Sequence, residues 1–199
     1  MKTIFLISGK KRSGKDYVGE LLVQKLNQYG KSAKVLHFAD KIKEILMETF
    51  KCDKDFLENI KLNGTLKVDI PQKICDVLNY NVYNTNSYMI CSGRELLQRF
   101  GTDAMQKVFG KTVWRDLVMK EIEESSFEYF VVPDFRFKHE YIDKYNVITI
   151  KVTSDDVTND SHISENDLND FKFNYYIHNN KLSDDEINKE LEKICLTLF

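Results

Sequence analysis

The chain has 199 residues, 42% hydrophobic and 30% charged, with thirteen Phe and ten Tyr. Such a composition folds around a core and argues against disordered or fibrous classes. The formal net charge of -2 gives no electrostatic basis for long nucleic acid or an anionic membrane surface as main partner.

Four scattered cysteines, Cys52, Cys75, Cys91 and Cys195, form no CxxC pair. They read as free thiols in a reducing cytosol, so a cytoplasmic location is expected. Residues 3–8 read as a short buried strand. Their apolar run, Ile4-Phe5-Leu6-Ile7, is too short for a signal peptide and stops at Gly9-Lys10-Lys11-Arg12. No stretch approaches the roughly 20 apolar residues of a membrane span. Residues 15–29 carry Val18, Leu21, Leu22 and Leu26 at helical spacing. A second strand is predicted over 34–38, with Asp40 as the N-cap of a helix carrying Ile42, Ile45, Leu46 and Met47.

Residues 52–92 mix helical pieces with an Asn/Tyr-rich section and read as an insert beside the main sheet. Helices are predicted over 93–109 and 112–124, a strand over 129–133, a helix over 138–145 and a strand over 146–152. The polar, acidic stretch 154–169 reads as a loop or mobile lid. A last short strand at 175–177 precedes a helix capped by Ser183, with Asp184, Asp185 and Glu186 in its first turn. Strands alternating with helices imply a parallel sheet covered on both faces.

Gly9-Lys10-Lys11-Arg12-Ser13-Gly14-Lys15 has GxxxxGK spacing between the first strand and the first helix. Glycines let the backbone wrap tightly around phosphate oxygens, and successive N–H groups plus the helix N-terminus attract anionic charge. Gly9, Lys11, Arg12, Ser13, Gly14 and Lys15 are therefore candidate ATP-binding residues, with Lys15 reaching the β- and γ-phosphates. Asp16 stands where Ser or Thr usually meets Mg²⁺. A carboxylate facing a triphosphate is repelled unless a cation lies between them, so Asp16 points to a metal site, reached through a bound water. Compensation of the helix dipole is the plainer alternative.

With Ser8 to Asp16 in hand, the chain resembles the deoxynucleoside monophosphate kinases of tailed bacteriophages. Phe38-Ala39-Asp40-Lys41-Ile42-Lys43 is similar to their FAD-x-hydrophobic-K segment. The stretch from Gly93 to Asp103, with Arg94, Leu97-Gln98 and Gly101-Thr102-Asp103, resembles their R-x-x-LQ-x-x-GTD helix, and Trp114 follows at a familiar distance. Pro133-Asp134-Phe135-Arg136 is similar to their strand-borne D-x-R, Asp160 to Glu165 to their H-x-SE lid motif, and Ile177-His178-Asn179 to their closing strand with its Asn. Two positions depart from the pattern. Lys41 replaces a proline, and 151–154 lack the Arg often found just before the lid.

The resemblance implies an α/β fold of the P-loop NTPase type: a three-layer sandwich with a parallel central sheet, a helical substrate-binding insert and a short lid. It makes 1–199 one kinase domain, with 44–125 as the helical acceptor-binding region and 154–169 as the lid. It implies transfer of a phosphoryl group from ATP, with Mg²⁺, to a deoxynucleoside monophosphate. Arg94, Gln98, Arg99 and Thr102 would then line the acceptor, with Asp103 near its sugar or base. His162, beside Glu165 in the lid stretch, either orients bound nucleotide or belongs to a solvated polar loop.

Phosphoryl transfer to a phosphate oxygen needs positioning and charge neutralisation and no general base. Arg136 suits a clamp on the transferring group, and Asp134 a metal ligand at the C-terminal edge of the sheet or, alternatively, a helix cap. Lys43 either contacts the acceptor phosphate or is simply exposed. Trp114 stacks on a base or sits in the core. His37 and His178 read as structural. A homodimer is compatible with all of this. Two other functions stay open: phosphorylation of a non-nucleotide phosphate ester such as phosphomevalonate, whose animal kinases have a similar loop, and nucleotide binding without turnover.

Overall fold

The computed structural model describes residues 2–51, 53–55, 65–69, 88–92, 97–155, 167–180 and 183–198. Contacts divide the chain into two compact units, Met1–Phe38 with Trp114–Phe199, and Ala39–Val113.

In the first unit, β1 (Thr3–Ser8), β2 (Ala33–Val35), β5 (Tyr129–Val132), β6 (Asn146–Thr153) and β7 (Tyr175–His178) form one sheet in the order β2-β5-β1-β6-β7. Every pairing is parallel, with Leu6 opposite Val132 on one side of β1 and Thr149 on the other. All six residues of β1 are buried, as befits the central strand of a sheet covered on both faces. The chain leaves β1 for one side and comes back to the other, so the strand order switches at its C-terminal end. Ligands gather at such a point.

Helix α1 (Lys15–Gln28) buries Val18, Leu21, Leu22 and Leu26, the stripe expected from spacing. These side chains join Phe5, Ile7, Val131 and Ile150 with Ile187, Leu191 and Ile194 of the last helix, α4 (Asp184–Leu196), in one cluster. Burying each Leu or Val contributes roughly 1.5–3 kcal/mol. Ser183 and Glu186 cap α4 reciprocally. Helix α3 (Val113–Glu124) buries Trp114, Val118 and Ile122, spaced by four.

The second unit holds most of α2 (Phe38–Phe50). It also holds an antiparallel pair, β3 (Thr65–Asp69) and β4 (Tyr88–Ser92), in the stretch read as an insert, where no strand was expected. The helix predicted over 93–109 is described from Leu97, and Arg99–Gln106 winds as a π-helix before one α-helical turn, Lys107–Phe109. Buried Gly101 lies inside that wide stretch, where glycine and the β-branched Thr102 weaken the preference for tight α-helical winding.

Two further expectations are corrected. Asp40 is not the N-cap of α2, which starts two residues earlier at Phe38 and leaves Asp40 in its first turn. The helix predicted over 138–145 is a single 3-10 turn, Lys138–Glu140, closed by an extended Tyr141. Its Glu140 side chain accepts from the Arg136 and Phe137 N–H groups just before the turn, so it caps the start of a turn that goes no further.

Candidate functional site

The loop after β1 is held in a wound shape by its own backbone. Ser13 N–H donates to the Lys10 carbonyl at 3.1 Å, and Val18 N–H donates to the Gly14 carbonyl at 2.9 Å as α1 begins. Arg12 (φ 68) and Gly14 (φ 81) are both left-handed. At Arg12 that conformation costs a non-glycine residue on the order of 1 kcal/mol, a strain typical of ligand clamps. Alternating left- and right-handed residues turn successive N–H groups toward one concavity, which suits an anion.

Gly9 packs tightly in this arrangement. A Cβ there would lie 2.3 Å from Ser13 Oγ and 2.7 Å from the Val152 carbonyl of β6. Ser13 is fully buried, and its hydroxyl has no hydrogen-bond partner among the described residues. It fills the space above Gly9, so Ser13 serves the loop's shape from beneath.

Lys15, only 9% exposed, places Nζ 2.8 Å from Asp16 Oδ2. Asp16 is more than half exposed, and its other oxygen lies 3.8 Å from His37 Nε2. Expected only as a structural residue, His37 is thus a neighbour of the loop, brought there by the end of β2. Its position depends on sheet order and could not be read from spacing.

Asp134 follows β5, immediately beside the end of β1, because Phe135 N–H donates to the Ile7 carbonyl at 3.2 Å. Its Oδ1 accepts from Phe38 N–H at 3.0 Å, where α2 starts. Asp134 therefore does cap a helix, and it does so at the edge where a metal ligand is also expected. Phe135 is anchored edge-on against Phe171 and Phe173, with centroids 5.4 and 6.3 Å away.

The backbone that carries Arg136 is held by Glu140, which is 5% exposed. Its Oε2 accepts from Arg136 N–H at 2.7 Å and from Phe137 N–H at 2.9 Å. Residues 167–170 are tied to the same place: Lys138 donates to Asp167 from its backbone and meets Asp170 at 2.7 Å through Nζ. Glu140 carried no sequence signal, since a lone Glu in a charged segment reads as solvated.

Burial pushes the Glu140 carboxyl from an ordinary 4.5 up to about 8; Asp134 adds to this, and the two backbone donors oppose it. The folded-state value lies above the unfolded one. The associated stability is therefore fully present below about pH 4.5 and is lost as pH rises toward 8. Glu140→Gln keeps an oxygen for both N–H groups and removes the titration. Urea unfolding at pH 5 and pH 8 is expected to show the wild type losing on the order of 3 kcal/mol relative to the variant. Parallel pH dependence in the two proteins would show that Glu140 ionises as freely when folded.

The remaining candidates sit as follows. Trp114 is 3% exposed in the core, which leaves no open ring face for a base, so the stacking expectation is replaced by a packing role. In the second unit, Lys43 Nζ lies 3.9 Å from Asp40 Oδ1, with its side chain mostly buried. There too, Arg99, Thr102 and Asp103 lie on the π-helix and Gln98 stands at its N-terminal boundary, with Asp103 exposed. Arg94, His162 and Glu165 lie outside the described residues.

The donor set fits a polyphosphate: wound backbone N–H groups, a helix N-terminus and a shielded lysine. The two carboxylates Asp16 and Asp134 suit a hard divalent cation. Among the described residues no group of three or more His, Cys, Asp or Glu gathers as a metal cage. Magnesium sites built from one or two carboxylates plus phosphate oxygens need none.

A five-stranded parallel sheet flanked by helices, with a GxxxxGK loop at the end of its central strand, defines a P-loop kinase fold. A family model described as deoxynucleotide monophosphate kinase matches residues 53–190, more than half of the chain, and the chain belongs to that family. The protein is thus a deoxynucleotide monophosphate kinase, a phosphotransferase. The match begins after the loop at 9–15, so loop and family are independent indications of the same chemistry. No curated protein matches the chain. Among the described residues no helix is long and apolar enough to cross a membrane.

Proposed function

We propose that the protein moves the γ-phosphoryl group of ATP to a deoxynucleoside monophosphate in a Mg²⁺-dependent reaction centred on the 9–16 loop. The observation that carries this reading is Lys15. It is a shielded cation at the start of α1, directly after a left-handed glycine, where β- and γ-phosphate oxygens would be bound. Gly9, Lys11, Arg12, Ser13 and Gly14 shape the loop and supply its backbone donors. Asp16 and Asp134 would hold the cation, whose charge offsets that of the phosphates.

Arg136 would clamp the group in transfer, on a backbone fixed by Glu140 and the anchored Phe135. The acceptor falls to Arg94, Gln98, Arg99, Thr102 and Asp103, with Lys43 toward its phosphate. His162 and Glu165 would act from a lid over 154–169, and 44–125 would form the acceptor-binding region. The family match covers Gln98 and Gly101-Thr102-Asp103, the residues that favour a nucleotide acceptor over phosphomevalonate in this reading. The net charge of -2 gives long nucleic acid no electrostatic pull, so ATP and a nucleoside monophosphate are the partners proposed.

Asp16→Asn tests the metal assignment. The variant is expected to need severalfold more Mg²⁺ for half-maximal rate at saturating ATP. An unchanged Mg²⁺ titration, with only a few tenths of a kcal/mol lost in stability, would make Asp16 a dipole-compensating residue instead.

A further inference from the structure

One contact on the phosphate loop comes from the far edge of the sheet. Asn179, just past β7, donates through Nδ2 to the Ser13 carbonyl at 3.0 Å. Its own backbone N–H donates to the Thr153 carbonyl of β6 at 2.7 Å, which extends the strand pairing by one residue and fixes the side chain's base. A Cβ on Gly14 would come within 2.3 Å of Asn179 Nδ2, so the amide lies directly against the Ser13–Gly14 peptide.

The peptide it grips is one that can turn over. Gly14 has no Cβ and sits at φ 81, so rotating the peptide between residues 13 and 14 meets little steric resistance. In a trans peptide the carbonyl and the following N–H point in opposite directions. Holding the Ser13 oxygen on the β7 side turns the Gly14 N–H away from Asn179, into the concavity of the loop. A flipped peptide would present a carbonyl dipole to the phosphates in place of a donor.

We propose that Asn179 is a positioning residue for ATP, locking the Ser13–Gly14 peptide in the orientation that offers its N–H to phosphate. This rests on the loop being the ATP site. The affinity of a site that is only partly populated falls by the populated fraction, so a released peptide weakens ATP without touching the acceptor. Neighbouring contacts brace the loop from the same side: Lys151 Nζ reaches Ser8 Oγ at 3.4 Å, and the Val152 carbonyl backs Gly9. Asn179 differs from these in engaging a peptide whose orientation reverses the loop's polarity.

The test uses Asn179→Ala and the isosteric Asn179→Asp, with thermal melts to confirm folding. Both are expected to raise KM for ATP about five- to tenfold, as for one lost hydrogen bond, while KM for the monophosphate stays within twofold. Asp should be at least as severe as Ala, because it sets an acceptor against the Ser13 carbonyl. Wild-type KM for ATP in folded Asn179→Asp would overturn the proposal, as would equal rises for both substrates. Lys15→Ala in the same assay separates the two readings. If it loses turnover while Asn179→Asp behaves as wild type, only the role of Asn179 fails. If Lys15→Ala retains turnover, the loop assignment itself fails.

Discussion

Lys15→Ala is expected to lower kcat by about 10²-fold or more in a protein that stays folded. The shielded ammonium is the strongest positive charge the loop can aim at the β- and γ-phosphates, and losing one such preorganised donor costs on this scale. The fold has little at stake. The partner of Lys15 in the structure is Asp16, whose side chain is more than half exposed, so the carboxylate left behind stays in water and no buried charge is stranded. Coupled ADP release, measured beside circular dichroism, separates the two effects. Retained kcat in a folded variant would remove the loop from the reaction.

Gly9→Ala adds a single methyl group and is expected to be nearly as damaging. Ser13 Oγ, 2.3 Å from the new Cβ, can rotate away, but the Val152 carbonyl at 2.7 Å is strand backbone and cannot. The loop must therefore shift outward from β6. Overpacking of this kind destabilises by roughly 1–3 kcal/mol. Displacing a phosphate cradle by about 1 Å can cost about 10²-fold in rate. Steady-state kinetics should show kcat/KM for ATP falling by that order. A variant with wild-type kcat/KM for ATP would mean that the loop does not hold phosphate in the shape seen here.

Local signals were legible in the sequence because local physics decides them. The apolar run of β1, the Val18-Leu21-Leu22-Leu26 stripe, the Ser183 cap and the GxxxxGK spacing each depend on residues a few positions apart, and the structure contains all four. What escaped depends on distant partners. The start of α2 was misjudged because its first N–H is satisfied by Asp134, 96 residues away, and not by Asp40 nearby. The π-helical winding at Arg99–Gln106 lasts only eight residues, too few for its wider period to stand out from the α-helical one. The pair of strands at Thr65–Asp69 and Tyr88–Ser92 was readable in part. Thr65-Leu66-Lys67-Val68-Asp69 alternates polar and apolar residues, a strand signal masked by the Asn/Tyr-rich stretch that follows.

The site divides along the same line. Lys15 and Asp134 could be proposed from motif and position, whereas the burial of Glu140, the approach of His37 to Asp16 and the grip of Asn179 on Ser13 exist only once the strands are ordered. Trp114 shows the converse. A lone Trp near a motif left a stacked base and the core equally open, and its burial puts it in the core.

This chain is expected to phosphorylate deoxynucleoside monophosphates at the loop between β1 and α1. Phosphorus NMR of the purified protein with ATP, Mg²⁺ and each dNMP in turn tests it most directly, with NMPs and phosphomevalonate as comparison acceptors. The expected result is equal amounts of ADP and a deoxynucleoside diphosphate, without free phosphate. Conversion of phosphomevalonate alone, or release of inorganic phosphate with every dNMP unchanged, would contradict the account.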